Sequence, residues 1–336
     1  MTPASRHRLR ASAGLAAGAA ALLLASACSS SSDTGSSAGG GSTGGGGGSS
    51  LPKTLVFSPL SLAPPALKGL SEGVKGYAAS KGWEVVVQDP NFDPTKQVQQ
   101  LNEVIDSGRA GAAWIIAVSP PSIKDLMSTA QSKGVPLLVN GRPDEYGFSG
   151  PQPGITFDYI DYKAAGTALG DSLGKCITEK LGGNGQVLYV ASKAGTAGKE
   201  EVDSSAVAAL KAAAPNATVV QTTIAEDRAG AQTSTGTVLQ GNPNLNAVMS
   251  SNDEGALGAI GAFSAAGKNT ACVTDFGGND EVLGLVRSGQ MYASVALQFQ
   301  ADTTQSFDTL VKMQADPKAQ GQVLIVPQKT ITASSS

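Results

Sequence analysis

From residue 53 onward, short apolar runs alternate with helical patterns, and this alternation restricts the fold more than any other feature of the 336-residue chain. The runs at 54–57, 84–87, 113–118 and 135–139 stay apolar at successive positions, as parallel strands buried on both faces do. Between them lie helical patterns at 66–81, 95–107 and 122–133. Each stops at a glycine (Gly82, Gly108, Gly134), the residue that most readily adopts a left-handed helix end. Asp93-Pro94 opens the second as an N-cap followed by proline. A second series follows: helix 163–181, strand 186–191, helix 200–214, strand 218–223, helix 229–240, strand 247–250, helix 255–266, strand 272–275, helix 281–288 and strand 292–297. The loop-rich stretch 142–161 separates the two series. The pattern predicts an α/β protein of two doubly wound parallel-sheet lobes. Ligands of such sheets sit beyond the carboxyl ends of the strands, where strand order reverses. With two sheets facing each other, that place is an interdomain cleft. Trp83, after a helix stop, and Trp114, in mid-strand, read as core.

The ends of the chain follow a different plan. Arg6, Arg8 and Arg10 precede a small-residue apolar stretch too short to span a bilayer, and the stretch runs into Leu24-Ala25-Ser26-Ala27-Cys28. This resembles the lipobox of bacterial lipoproteins, in which the cysteine, here Cys28, carries the lipid; cleavage near Ala27 as an ordinary signal peptide is the alternative. Residues 29–50 are glycine and serine except for Asp33, Thr34, Ala38 and Thr43. Such a segment cannot bury enough apolar surface to order itself and reads as a tether of roughly 25 Å root-mean-square reach.

Composition closes off much chemistry. The one histidine, His7, lies in the leader, so the rest of the chain can build no Ser-His-Asp triad, Cys-His dyad or histidine metal site. The net charge of −3 includes the three leader arginines, so the remainder is more acidic still and offers no long-range attraction to nucleic acid. Gly195-Thr196-Ala197-Gly198-Lys199 is half a phosphate loop, but Lys193 stands where the first glycine is needed and Glu200 where a magnesium-holding hydroxyl is needed. Asp89–Asp93 and Glu226-Asp227 lack the spacing of a calcium loop. No cofactor or metal is expected. Two cysteines follow the leader, Cys176 and Cys272. An even pair in an exported chain favours a disulfide, with two free buried thiols as the alternative.

Three stretches carry a family resemblance: Gly73-Val74-Lys75-Gly76-Tyr77-Ala78 through Lys81-Gly82-Trp83-Glu84, then Gly134-Val135-Pro136-Leu137-Leu138, and above all Asn252-Asp253-Glu254-Gly255-Ala256-Leu257-Gly258-Ala259. Together they resemble the type I periplasmic binding proteins, specifically the ribose- and galactose-like solute receptors of bacterial ABC importers, over about 54–333. The resemblance implies a three-segment hinge, with 51–160 plus 298–322 forming the first lobe and 161–297 plus 323–334 the second. It implies a monomeric receptor anchored outside the cytoplasmic membrane, an ABC permease as partner, a sugar or polyol as solute and no catalysis. A solute sensor that signals to a membrane receptor, or a binder of a cationic solute, is the alternative on the same fold.

By position, Arg142 and Asn252 match ligand-contacting residues of that family. Ser58, Ser61, Asn140, Lys193, Glu226 and Asn279 stand at strand ends as further polar candidates. Glu200 falls where the second lobe's arginine would be, and Gln298 lies beside the position of the pocket glutamine. Tyr159, Tyr162 and Phe157 lie near the first crossover. Departures are plain: Ala66 and Leu67 replace two stacking aromatics, Gly141 replaces the aspartate before the arginine, and Gly277 replaces the aspartate of a Phe-Asp-Gly turn. These departures set the chain apart from a ribose pocket.

Overall fold

The computed structural model describes residues 51–335, Ala271 excepted; the leader, Cys28 and the 29–50 tether lie outside the described residues. The first series builds β1 (Thr54–Ser58), α1 (Pro65–Ser80), β2 (Glu84–Val87), α2 (Pro94–Asp106), β3 (Ala112–Ile116), α3 (Lys124–Ser132), β4 (Leu137–Asn140) and β5 (Ile155–Tyr159). The second builds α4 (Tyr162–Leu181), β6 (Gln186–Ala191), α5 (Lys199–Ala213), β7 (Thr218–Ile224), α6 (Arg228–Gly241), β8 (Ala247–Ser250), α7 (Asp253–Ala265), β9 (Cys272–Gly277), α8 (Asp280–Arg287) and β10 (Ala293–Leu297). The chain ends with α9 (Phe299–Ala315), β11 (Val323–Ile325) and β12 (Gln328–Thr332).

Two six-stranded sheets result, ordered β11-β5-β4-β3-β1-β2 and β12-β10-β9-β8-β6-β7. All pairings are parallel except β10 with β12. Each sheet is covered on both faces, which explains why its strands read as unbroken apolar runs. In the first, Val56, Ile115 and Val139 pack towards α2 and α3, while Phe57 and Trp114 pack towards α1 and α9. In the second, α4 and α5 cover one face and α6, α7 and α8 the other. Both tryptophans are core residues.

Local signals did what the pattern predicts. Asp93 caps α2 by accepting from the Thr95 and Lys96 amides. Gly82, Gly108 and Gly134 follow their helices with φ near +70°. On α4, Gly166, Gly170 and Gly174 recur every fourth residue and face α5. A Cβ on Gly170 would stand 2.1 Å from the Ala206 carbonyl oxygen, so the helices approach closer than any side chain permits. Cys176 on α4 and Cys272 on β9 are joined by a disulfide inside this layer.

Two elements depart from expectation. The stretch 142–161 contains a full strand, β5, within Ile155-Thr156-Phe157-Asp158-Tyr159. Thr156 and Asp158 break the apolar run, yet both are fully buried. Their partners come from α9: Thr156 Oγ1 contacts Met313 Sδ, and Asp158 adjoins Asp302. The other departure is the expected second-lobe segment 323–334. Val323–Ile325 pairs with β5 in the first sheet, and only Gln328–Thr332 joins the second. The final crossing therefore falls at Val326-Pro327. A three-residue strand has too little pattern of its own to declare its sheet.

Candidate functional site

The chain passes between the sheets three times, after Tyr159, after Leu297 and after Ile325. These crossings lie side by side: Val326 donates to the Tyr159 carbonyl (2.9 Å) and Gln298 to the Pro327 carbonyl (2.8 Å). Gln328 Nε2 adds a bond to the Asp161 carbonyl (3.2 Å). In the second sheet, strand order reverses between β6 and β8, so their carboxyl ends flank a crevice. A cavity of about 800 Å³ opens there, with Ser192 just past β6 and Ser251 and Asn252 just past β8 in its wall. Across from them the first lobe contributes Pro64 and Ala66, at the start of α1. A second hollow of about 950 Å³ continues along α1 and shares Ala66, Asp253, Asn279 and Leu297 with the first.

The hinge side of the cavity is apolar, formed by Ile160, Tyr162, Val202, Phe276 and Leu297. Tyr162 stands edge-on to Phe276, with ring centroids 6.4 Å apart. Burial, then the Glu145 and Glu201 charges, push the Tyr162 hydroxyl up to about 12, so it stays a neutral donor. The opposite side is polar. Ser192 and Ser251 hydroxyls bond each other (2.9 Å). Asn252 caps α7 by accepting from Gly255 N (2.7 Å) and donates from Nδ2 to the Ala225 carbonyl (3.1 Å). Asn279 caps α8 through Val282 N (2.8 Å), which leaves its Nδ2 without a partner among the described residues.

Four charged side chains line the cavity, and each has a partner within the protein. Lys199 Nζ pairs with Asp203, which also accepts from the Tyr189 hydroxyl; the Asp203 contact holds the lysine above its usual range. Glu254 pairs with Arg228 (3.0 Å), which Glu281 engages too (2.7 Å). Glu226 accepts from the Lys193 amide (2.7 Å) and faces its ammonium at 3.7 Å. Asp253 accepts from Gly278 N (2.8 Å) and Asn279 N (3.3 Å).

Of the residues singled out in the sequence, Glu226, Asn252 and Asn279 come together in this wall. The other polar candidates do not reach it. Ser58 is fully buried and accepts from Gln97 Nε2 (3.1 Å), and Ser61, also buried, accepts from Ala63 N (3.1 Å). Asn140 is held inside the first lobe, accepting from Trp114 Nε1 (2.8 Å) and donating to Asp158 Oδ2 (3.3 Å). The Arg142 guanidinium lies 5.1 Å from the centre of the Tyr159 ring. Lys193 is exposed and serves Glu226, while Gln298 folds back onto the Ala296 carbonyl (3.2 Å) at the second crossing. Glu200 is exposed in the first turn of α5 and lies outside the lining; its neighbour Lys199 takes the place at the cavity. Ser192, Ser251 and Phe276 are lining residues absent from the sequence-derived candidates, and Thr196 enters the sequence analysis only within the half phosphate loop. The strand-end rule already pointed at two of them, since Ser192 and Ser251 directly follow β6 and β8. Of the three aromatics near the first crossing, Tyr162 lines the cavity, Phe157 is core and Tyr159 lies under Arg142.

One family model, the periplasmic binding protein domain, matches this chain over residues 56–318. The chain belongs to the periplasmic binding protein family. Among its relatives, the ribose import binding protein of Haemophilus influenzae is 28% identical over 255 residues, 74% of this chain and 82% of the relative. The xylitol-binding protein of Mycolicibacterium smegmatis is 25% identical over 225 residues, 65% of this chain and 60% of the relative. Among solved structures, an ABC transporter solute-binding protein from Actinobacillus succinogenes with bound D-allose superposes with a TM-score of 0.71. That match has 18% identity and covers 84% of this chain and 98% of the other. Family members are solute-binding proteins and not enzymes, and membership implies an exported protein. Among the described residues, no helix is long and apolar enough to cross a membrane.

Proposed function

We propose that this protein is the lipid-anchored receptor of a sugar-type ABC importer and traps one small, neutral, hydroxyl-rich solute between its lobes. The observation that carries the neutral-solute reading is the pairing of charge in the cavity wall. Among the described residues, Lys199 and Glu226 have counter-ions, Glu254 shares Arg228 with Glu281, and Asp253 has two backbone donors, so every charge in the wall is already engaged within the protein. A sugar or polyol suits the rest: its C–H face lies against the apolar hinge wall, and its hydroxyls meet Ser192, Ser251, Thr196 and the free Asn279 amide. The volume is within the range of small-molecule sites, and closure about the three crossings would expel water and strengthen each hydrogen bond. The names of relatives that import ribose or bind xylitol point the same way. Anchoring through Cys28 rests on the leader, and the 29–50 tether would let the body reach a permease while free of the bilayer. A monomer fits that role.

A thermal-unfolding screen of pentoses, hexoses, polyols, amino acids and polyamines tests this reading. A ligand at about one hundred times its dissociation constant stabilises the folded state by roughly 2.7 kcal/mol. A neutral sugar or polyol is expected to produce the largest shift. A response confined to amino acids or polyamines would overturn the reading.

A further inference from the structure

Asp275, near the carboxyl end of β9, is fully buried, and neither of its carboxyl oxygens accepts a hydrogen bond from any described residue. It lies in register between Ser250 of β8 and Ser294 of β10. The Ser250 hydroxyl is committed to the Asn252 carbonyl (2.7 Å). An ionised carboxylate in that place would lose its hydration and have only the Ser294 hydroxyl of β10 to set against the loss. Among the described residues the ionisable group beside it is Asp253, the first residue of α7 and itself an acceptor, whose carboxyl lies against Gly277, two residues along the same face of β9. Two carboxyl groups in contact are stable when one carries a proton and donates it to the other. Asp253 is already committed as an acceptor to Gly278 N and Asn279 N, which leaves Asp275 as the donor. Burial, and then the Asp253 carboxylate, push the Asp275 carboxyl well above the ordinary range.

We propose that protonated Asp275 is a positioning residue of the solute cleft: it donates to Asp253 and so locks that carboxylate against the Gly277–Asn279 turn. The turn is shaped to this carboxylate. Gly277 has φ +156°, and a Cβ there would stand 2.5 Å from Asp253 Oδ2. Asp253 and Asn279 both belong to the wall shared by the two hollows, so the pair sets one rim of the cleft. No cation faces it. Glu254 of α7 and Glu281 of α8 are turned to Arg228, Asp280 of α8 is exposed, and the flanking strands present the Ser250 and Ser294 hydroxyls. Loss of the proton sets two negative charges together, frees Asp253 from its turn and loosens the rim. Asp275→Asn keeps a neutral donor and removes the titration.

The functional role rests on the cleft being the solute site, but the test needs no solute, so the pair and the binding reading can fail separately. In the full chain labelled with ¹³C at aspartate carboxyls and ¹⁵N at amides, an NMR titration from pH 4 to 9 follows both. Besides the Asp158 carboxyl, a second aspartate carboxyl titrating well above the ordinary range, which vanishes in Asp275→Asn, is expected, with the Gly278 and Asn279 amides shifting along its curve in the wild type and flat in the variant. Asp253→Asn, which removes the neighbouring charge, should move the Asp275 titration to lower pH. Absence of such a carboxyl, its survival in Asp275→Asn, or Gly278 and Asn279 amides that ignore it would overturn the proposal.

Discussion

Opening the Cys176–Cys272 bond is expected to destabilise the second lobe by about 4–5 kcal/mol. The two cysteines are 96 residues apart and join α4 to β9 within one core layer. In the unfolded chain the bond closes a loop of that length, and the chain entropy it removes corresponds to about 4–5 kcal/mol at 25 °C. The first lobe holds no cysteine among its described residues, so its own stability should be little changed. Urea denaturation with and without reductant, with thiols assayed to verify reduction, should show the second-lobe transition moving to lower urea. Unchanged transitions in fully reduced protein would contradict this.

The second large effect concerns pH. Asp158, fully buried on β5, has its carboxyl raised to about 8, first by burial and then by the Asp302 carboxylate of α9. Asn140 Nδ2 donates to one of its oxygens (3.3 Å), and the other has no partner among the described residues. Gln305 Nε2 links Asp302 Oδ1 (2.9 Å) to the Ile325 carbonyl (3.0 Å), so the pair sits beside the hinge crossings. The folded protein keeps the Asp158 proton up to about pH 8, whereas the unfolded chain releases it near pH 4. Between those limits the folded state binds the extra proton, and stability falls as pH rises, by about 1.4 kcal/mol per unit. The loss totals roughly 5 kcal/mol by pH 8 and levels off above it. Asp158→Asn removes the titrating group, so the stability of the variant relative to wild type should climb with pH across this window. Parallel stability curves for the two proteins from pH 4.5 to 8.5 would contradict the assignment.

What the sequence disclosed and what it hid follow one physical division. Strands buried on both faces and helices ended by Gly82, Gly108 or Gly134 carry their signals within a few residues, and those elements were legible. β5 was not, because Thr156 and Asp158 look like loop residues until Met313, Asn140 and Asp302 arrive from elsewhere in the chain. The lobe of β11 is not legible in the sequence, because Val323–Ile325 gains its identity from pairing with β5. At the cleft, Asn252 and Asn279 could be found because a strand-tip asparagine that caps the next helix also faces the crevice. Glu200 and Lys199 show the limit of position alone: adjacent residues on a helix point about 100° apart, and only the lysine meets the cavity. Asn140 occupies a strand end too, but its side chain turns inward to Trp114.

The central claim is that a neutral hydroxyl-rich solute occupies the crevice at the β6 and β8 ends. Calorimetric titration of the wild type and of Ala197→Trp, in which an exposed lining residue is replaced by a bulky one, tests it most directly. One sugar or polyol should bind with one-to-one stoichiometry to the wild type and lose most of its affinity for the variant, whose unfolding stability should be unchanged. Equal affinity for the two proteins, or wild-type binding restricted to charged solutes, would contradict the account.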